Sequence, residues 1–144
     1  MKKIGLLNGP NLDRLGKREP EIYGSKTLDL IVDDTISLGK EIGCEVIGYQ
    51  SNHEGALIDK IHQWSDEKFS GLIINPGGFT HTSVALRDAV VASGLKTIEV
   101  HLSNIHARED FRHKSLISAI VHGVIAGMGP NGYEFALRHL VEPK

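Results

Sequence analysis

The sequence lacks the features that mark secreted, membrane-bound and nucleic-acid-binding proteins. Its single cysteine, Cys44, excludes an internal disulfide. The apolar run near the amino terminus stops at Asn8, short of the ~7–15 residues of a signal peptide, and no run approaches the ~18 residues of a membrane helix. The net charge of -2 is also unlike that of proteins that bind nucleic acid or anionic membranes. We therefore expect a cytosolic protein with neither a nucleic acid nor a membrane partner.

Motifs for metals and nucleotides are missing as well. Eight histidines are present, but none of them shows zinc-site spacing, and no P-loop or dinucleotide fingerprint follows a predicted strand. Four scattered histidines are interpreted as surface or packing residues: His53, His62, His122 and His139. The sequence therefore predicts neither a metal nor a bound cofactor.

What is present is a regular alternation of short apolar runs and amphipathic segments over 144 residues. The runs that predict strands are Lys3–Leu7, Glu45–Tyr49, Gly71–Ile74, Thr97–Val100 and Gly123–Met128. Helical spacing is seen around Ile31–Ile42, Leu57–Trp64, Leu86–Val90 and Tyr133–Leu140. This alternation predicts an α/β fold, a parallel sheet with helices on both faces. Residues 1–144 are predicted to form one domain, and Phe111–Val121 fits either a helix or a strand.

Three polar motifs follow predicted strands at their carboxyl ends, where parallel α/β sheets bind ligands. They are Asn8–Asn11, Asn75–Ser83 and His101–Arg112. In a five-stranded sheet of flavodoxin-like order 2-1-3-4-5, all three meet at one crevice. This convergence favours a small-molecule site over a purely structural role.

A long loop lies between the first strand and the first helix, and it contains Arg18 and Tyr23. A connection of about 18 residues is unusual for an α/β crossover, and loops of this length are often lids. Gly16 and Gly24 could act as hinges. We interpret residues 17–24 as a lid; the alternative is a solvated basic loop with Tyr23 packed on the surface.

The segment Asn75–Ser83 combines a tight glycine turn with groups that can bind an anion. Thr82 or Ser83 can cap the next helix, whose first N–H groups suit a carboxylate or phosphate. Asn75 and His81 could add hydrogen bonds. The alternative is an ordinary turn from strand to helix.

Glu99 and His101 stand two positions apart on a predicted strand, so they point to the same face. Glu99 can reach one ring nitrogen of His101 and fix its tautomer, which suits a general acid or base. Downstream, Arg108 and Arg112 offer cations for a substrate carboxylate. The alternatives are a merely solvated histidine and arginines without a specific role.

Taken together, these motifs resemble the type II 3-dehydroquinate dehydratases. The blocks that carry the resemblance are Leu7–Leu12, Arg18–Pro20 with Tyr23-Gly24, Gln50–Gly55, Asn75–Gly77 with Thr80–Ser83, Glu99–Asn104 and Ala107–Arg112. Six blocks in order are specific, and the likeness covers essentially the whole chain. Gly78 stands where the family often has Ala, which could loosen the turn that presents His81, and Asp110 stands where it often has Glu.

The resemblance implies a flavodoxin-like three-layer sandwich and a homo-oligomer, a dodecamer built as a tetramer of trimers. It implies a cofactor-free lyase that dehydrates 3-dehydroquinate to 3-dehydroshikimate by anti elimination through an enolate. The reaction belongs to the shikimate pathway of aromatic amino-acid biosynthesis, with quinate breakdown as the alternative use.

Residue roles are implied by matching position. Tyr23 removes the proton beside the ketone, and His101 protonates the departing hydroxyl. Arg18 stabilises the tyrosinate, Asn11 helps hold the enolate through an ordered water, and Glu99 orients His101. The residues implied to contact substrate are Asn75, His81, Leu102, Ser103, Arg112 and, toward a neighbouring subunit's site, Asp88.

A tyrosine base sets an electrostatic requirement. Free tyrosine titrates near ~10, so a base that works near pH 7 needs its pKa lowered by about three, or ~4 kcal/mol. Burial alone raises the pKa, because it disfavours the phenolate. One cation at ~4 Å with an effective dielectric constant near ~20 supplies about 4 kcal/mol. Arg18 is therefore required, with Arg112 or Arg108 as the second cation.

Three rival functions were compared with this one. A receiver domain needs acidic residues after the first strand and an aspartate after the third, where this chain has Asn8-Gly9 and Asn75-Pro76. A flavin-binding module fits the fold alone and would give a coloured protein. A metal-dependent lyase would lose activity to a chelator.

Overall fold

The computed structural model describes residues 1–17 and 19–142, without the side chains of Pro20 and Tyr23. The roles predicted for Arg18 and for the Tyr23 side chain therefore lie outside the described residues. Within the described part of the chain, none of the helices combines the length and the apolar character needed to cross a membrane.

Five strands form one parallel sheet, and each coincides with an apolar run predicted to be a strand. They are β1 (Lys2–Asn8), β2 (Cys44–Gln50), β3 (Gly71–Asn75), β4 (Thr97–His101) and β5 (Gly123–Ala126). Their order is β2-β1-β3-β4-β5 with parallel pairing throughout, so the predicted order 2-1-3-4-5 is confirmed. All residues of β3 and β4 are buried, as expected for inner strands that are covered on both faces.

Helices connect the strands. They are α1 (Pro20–Tyr23), a single turn, followed by α2 (Leu28–Ile42), α3 (Glu54–Asp66), α4 (Val84–Ser93) and α5 (Asn131–Val141). Helix α2 begins at a Thr27 cap, whose hydroxyl accepts the Leu30 N–H, and it ends at Gly43 with a left-handed φ of 89°. The buried residues of α3 and α4 are those that the helical spacing predicted: Leu57, Ile61, Trp64, Leu86, Ala89 and Val90.

Two apolar cores lie on the two faces of the sheet, because successive strand residues alternate in direction. Leu6 and Ile73 pack with α2 and α5, whereas Leu7 and Leu72 pack with α3 and α4. The arrangement is a three-layer sandwich, as predicted. Cys44 is fully buried in the first core. Burial raises the pKa of its thiol, although the charge of Lys2 opposes the shift.

The segment Phe111–Val121, which fitted either a helix or a strand, forms neither. Two 3-10 turns, Asp110–Arg112 and Ser118–Ile120, are joined by a segment tied to its neighbours through a side chain. The Ser115 hydroxyl accepts the N–H groups of Ile117 and Ser118, each at 3.1 Å. A serine that binds backbone N–H groups in this way replaces the hydrogen bonds of a helix or a strand ladder.

Candidate active site

A pocket of about 200 Å³ opens at the carboxyl ends of β1, β3 and β4. Predicted site residues that line it are Asn11, Asn75, His81, His101, Leu102, Ser103 and Arg112. The three polar motifs meet there because their strands are neighbours in register, with Asn8 opposite Asn75 and Ile74 opposite Glu99. The predicted crevice is therefore present in the structure.

The turns after β1 and β3 touch each other through their backbones. The Gly9 N–H donates to the Asn75 carbonyl at 2.8 Å. A Cβ added to Gly9 would lie 2.4 Å from the carbonyl oxygen of Pro76, so only glycine fits at this contact. The contact fixes one side of the pocket with backbone atoms.

Glu99 and His101 lie side by side on β4, as their spacing predicts. Glu99 Oε2 contacts the His101 Nε2. Glu99 is fully buried beneath the pocket, whereas the ring of His101, 6% exposed, reaches the pocket wall. The geometry therefore gives one histidine of the pocket a buried carboxylate partner.

Three hydroxyl groups surround the Glu99 carboxylate. Ser118 Oγ donates to Oε1 at 2.8 Å, while Ser115 Oγ and Thr80 Oγ1 lie 2.9 and 3.0 Å from Oε2. Burial raises the pKa of Glu99, but the hydrogen bond and charge of His101 and the two serine hydroxyls outweigh burial and hold this pKa below its usual value. A hydrogen bond to a charged group contributes ~1.5–3 kcal/mol, so this cluster favours a carboxylate anion.

Asn75 is oriented by a second buried polar chain. Its Nδ2 donates to the Tyr133 hydroxyl at 2.9 Å, which in turn donates to Asn8 Oδ1 at 2.6 Å. The Gly77 N–H donates to Asn75 Oδ1 at 3.1 Å. Tyr133 is fully buried, and burial raises the pKa of its hydroxyl well above the ordinary value. The hydroxyl therefore stays neutral and holds the Asn75 amide in one orientation.

His81 and Asn11 line the pocket from two further turns. The His81 Nδ1 lies 2.8 Å from the carbonyl oxygen of Lys114, and a carbonyl can only accept, so Nδ1 carries a proton. Asn11 has a left-handed φ of 69°, and its N–H donates to Asn52 Oδ1 at 2.9 Å. Both residues are thus fixed by hydrogen bonds to other segments.

Two arginines give the pocket a positive side. Arg112 and Arg108 both line it, and both lie beside Glu109, with N–O distances of 3.1 and 3.8 Å. The Arg108 guanidinium also donates to Ser103 Oγ at 3.4 Å. Hydrogen bonds from the backbone N–H of Glu109 and from Arg112 hold the pKa of Glu109 below its usual value. Two guanidinium groups suit an anionic ligand such as a carboxylate.

Asp88, a predicted site residue, does not line this pocket. It lies on α4 with its side chain 68% exposed, and its nearest ionic contact is Arg87 at 3.9 Å. Ser83, one of the two predicted caps, caps α4: its hydroxyl accepts the Leu86 N–H and donates to the Glu54 carboxylate.

The segment predicted as a lid starts and ends at glycines with left-handed backbones, Gly16 with φ 86° and Gly24 with φ 84°. A Cβ at Gly16 would lie 2.7 Å from the carbonyl oxygen of Ser25, so the two ends of the segment touch. Lys17, Glu19 and Glu21 are exposed. These features fit a loop hinged at its two ends.

Sequence reasoning missed the residues that support the site from below. Tyr133 was interpreted only as the start of the last helix, and Asn8 only as part of a loop motif. Ser115 and Ser118 fell in the segment of uncertain structure, and Thr80 was noted only as part of a motif. No motif in the sequence marks these residues, because their hydrogen-bond partners lie far away in the chain.

Among residues 1–17 and 19–142, no group of three or more His, Cys, Asp or Glu side chains is arranged to hold a metal ion. The pocket side chains that could contact a ligand are instead amides, imidazoles, a serine hydroxyl and guanidinium groups.

Comparisons with known proteins agree with this geometry. Residues 2–141 match the family model described as dehydroquinase class II. The chain is 53% identical over 137 residues to 3-dehydroquinate dehydratase 1 of Agrobacterium fabrum, covering 95% of this chain and 94% of that protein. It is 56% identical to a 3-dehydroquinate dehydratase of Endomicrobium trichonymphae, with 98% of each chain covered. The crystal structure of a type II dehydroquinase from Propionibacterium acnes superposes with a TM-score of 0.96 at 46% identity, covering 99% of this chain and 98% of that one.

Proposed function

The chain belongs to the class II dehydroquinase family and dehydrates 3-dehydroquinate, and from this premise we propose how its own residues divide the reaction. Tyr23 removes a proton beside the ketone to give an enolate, and His101 protonates the hydroxyl that leaves as water. The result is an anti elimination to 3-dehydroshikimate in the shikimate pathway. The observation that carries the proposal is the carboxylate-bound His101 at the wall of a pocket with a positive side.

His101 is suited to the role of acid by its surroundings. The Glu99 carboxylate contacts Nε2 of the ring. Nδ1 is therefore the ring nitrogen that protonates the leaving hydroxyl. The contact with Glu99 orients the ring, and a neighbouring carboxylate stabilises the positive charge of a histidine that acts as a proton donor. A positioned general acid contributes ~10²–10⁴-fold to the rate.

Tyr23 requires nearby positive charge to act as a base. Its pKa must be lowered by about three, or ~4 kcal/mol, for the phenolate to form near neutral pH. We propose that Arg18, five residues earlier, supplies the first cation when the loop closes. The second is Arg112 or Arg108, which both line the pocket.

The remaining pocket residues hold the substrate. Arg112 pairs with the substrate carboxylate, while Asn75, His81 and Ser103 bind its hydroxyls, together with the backbone of Leu102. Asn11 supports the enolate through an ordered water. The support for these roles is that all of these residues line one pocket, and that Asn75 and His81 are each oriented by buried or backbone partners.

Asp88 acts, in this proposal, at the site of a neighbouring subunit in a dodecamer built as a tetramer of trimers. Its exposed side chain on α4, away from its own pocket, fits that role. Light scattering coupled to size exclusion measures the mass directly, and a monomer would overturn this assignment. A cytosolic location and a single domain over residues 1–144 stay predictions from the sequence.

The reaction is tested by following enone absorbance from 3-dehydroquinate in Tyr23→Phe protein. We expect kcat to fall by at least about 10³-fold, which corresponds to the ~4 kcal/mol that the phenolate requires. Tyr49→Phe is the matched control, because Tyr49 lies beside Lys60 and does not line this pocket. Full activity of Tyr23→Phe would refute the tyrosine base, and full activity of His101→Ala would refute the histidine acid.

A further inference from the structure

The Glu99 carboxylate is fully buried. Three hydroxyl groups from two other segments of the chain surround it in the place of solvating water. Thr80 belongs to the 3-10 turn Gly77–His81, and Ser115 and Ser118 belong to the connection between β4 and β5. The Leu116 N–H donates to the Thr80 carbonyl at 2.7 Å, so these two segments are also joined through the backbone.

Counting protons shows which way the hydroxyls point. Ser115 Oγ already accepts two backbone N–H groups, so both of its lone pairs are used. Thr80 Oγ1 lies 2.7 Å from Ser115 Oγ and 3.0 Å from Glu99 Oε2. Because Ser115 has no lone pair left, the Thr80 proton goes to Glu99. The Ser115 proton goes to Glu99 or to Thr80.

The two carboxylate oxygens are therefore served by different donors. Glu99 Oε2 accepts a hydrogen bond from Thr80 Oγ1 and contacts His101 Nε2, with Ser115 Oγ beside them. Glu99 Oε1 accepts a hydrogen bond from Ser118 Oγ. A carboxylate has acceptor sites only, so a set of donors matches its ionised form and not its protonated form. Ser118 is the member of the set that can be removed without touching the oxygen that contacts His101.

We propose that Thr80, Ser115 and Ser118 are positioning residues for the acid step, because their hydroxyls hold Glu99 as a buried anion and thereby keep His101 oriented and protonated between turnovers. The inference rests on the proposed role of His101 as the acid. It adds residues that touch neither the substrate nor the reacting atoms, and that act only through the Glu99–His101 pair.

The charges around His101 give the direction of the effect. The other charged or titratable side chains that line the pocket, among the described residues, are His81, Arg108 and Arg112. The positive charge of the two arginines opposes a proton on the His101 ring, and Glu99 counteracts it. Weakening the Glu99 anion therefore makes His101 lose its proton at a lower pH.

The test is a titration of the His101 ring by NMR in Ser118→Ala protein, with the signal assigned by comparison with His101→Gln. We expect the midpoint to move down by about one pH unit, a tenfold change in proton affinity. Ser93→Ala is the matched control, since Ser93 Oγ is likewise hydrogen-bonded, but only to the Val90 carbonyl and the Leu95 N–H and not to Glu99. Ser118→Thr keeps the hydroxyl and should restore the wild-type midpoint.

The same variants are then compared in kcat against pH. The pH above which kcat falls should decrease together with the NMR midpoint, while KM changes little. A shifted midpoint without a shift in that pH would uphold the electrostatic role of the hydroxyls and overturn His101 as the acid. A midpoint equal to those of wild type and Ser93→Ala would overturn the inference. If Ser118→Ala does not fold, Thr80→Val takes its place, because it removes a donor to Glu99 Oε2. A midpoint equal to that of wild type would again overturn the inference.

Discussion

The two halves of the site are built from different kinds of structure. The sheet half, which contains the proposed acid, stands on the inner strands β3 and β4, where Asn75 and Glu99 are buried and hydrogen-bonded on several sides. The loop half, to which the proposed base belongs, is the connection between β1 and α2, where Lys17, Glu19 and Glu21 are exposed. A buried anion needs donors in fixed places, which a central sheet can provide. A tyrosine base, by contrast, needs to ionise only when cations are brought beside it, and a loop that closes over the pocket can bring the groups together.

The glycines of the two halves show the same difference. Gly77 has a φ of 60° and lies against the Pro10 carbonyl, where an added Cβ would meet the oxygen at 3.0 Å. Gly24, in the loop, also has a positive φ, but an added Cβ would meet nothing within 4 Å. The first glycine is required by contact between two turns, and the second only by the direction of the chain.

The largest effect that would test this division is expected from Arg18→Ala. If the loop half supplies only the charge that makes the base, kcat should fall by about 10³-fold, the equivalent of ~4 kcal/mol. Substrate binding should weaken far less. If Arg18 serves only the reaction, the unfolding free energy should stay within ~0.5 kcal/mol of wild type.

Steady-state kinetics and urea unfolding measure these quantities, and Arg14→Ala is the control, an exposed arginine just before the loop. Equal losses in turnover and binding would instead identify Arg18 as a substrate clamp.

An intermediate effect is expected from two adjacent glycines of the sheet half. Gly77→Ala places a Cβ in a left-handed backbone and against Pro10, so the protein should lose about 2 kcal/mol of unfolding free energy. Gly78 has no atom within 4 Å of an added Cβ and no positive φ. Gly78→Ala should therefore gain ~0.4–1 kcal/mol by restricting the unfolded chain.

Thermal and urea unfolding of the two variants decide between these outcomes. Equal stabilities would show that the turn adapts freely. A loss of activity in Gly78→Ala would show that the glycine at this position serves the pocket and not only the backbone.

The smallest effect is expected in how steeply the free energy of unfolding changes with pH. The pKa of Glu99 is held below its unfolded value, so its contribution to stability is present above the unfolded pKa and is lost as the pH falls through the folded pKa. Below about pH 4, wild type should lose stability more steeply than Glu99→Gln. Glu41→Gln is the exposed control. Parallel curves for wild type and Glu99→Gln would show that the buried carboxylate makes no such contribution.

The fold was predictable because it depends on local patterns. Each strand is a short apolar run, and the helices α3 and α4 bury the residues that a period of 3.6 selects. The site was predictable where a motif follows a strand, as with His101 and His81. The catalytic and substrate-binding roles of all the predicted site residues remain predictions, as does the lid.

The supporting residues were not predictable because their partners are distant in the chain. Tyr133 and Asn8 are 125 positions apart, and Ser118 and Glu99 are 19 apart. A single sequence shows that these residues are polar, but it does not show which polar groups the fold brings together. The segment Phe111–Val121 escaped prediction for the same reason, because its backbone N–H groups bond to the Ser115 side chain and to the Thr80 carbonyl.

The lone thiol of Cys44 has a practical consequence. It is fully buried, and burial raises its pKa, so a thiol reagent can reach and react with it only when the surrounding core opens. The rate at which such a reagent labels the protein therefore reports the population of opened molecules, without an added probe. The same labelling measurement can be made on each variant, and it shows whether a loss of activity comes from a changed site or from a destabilised fold.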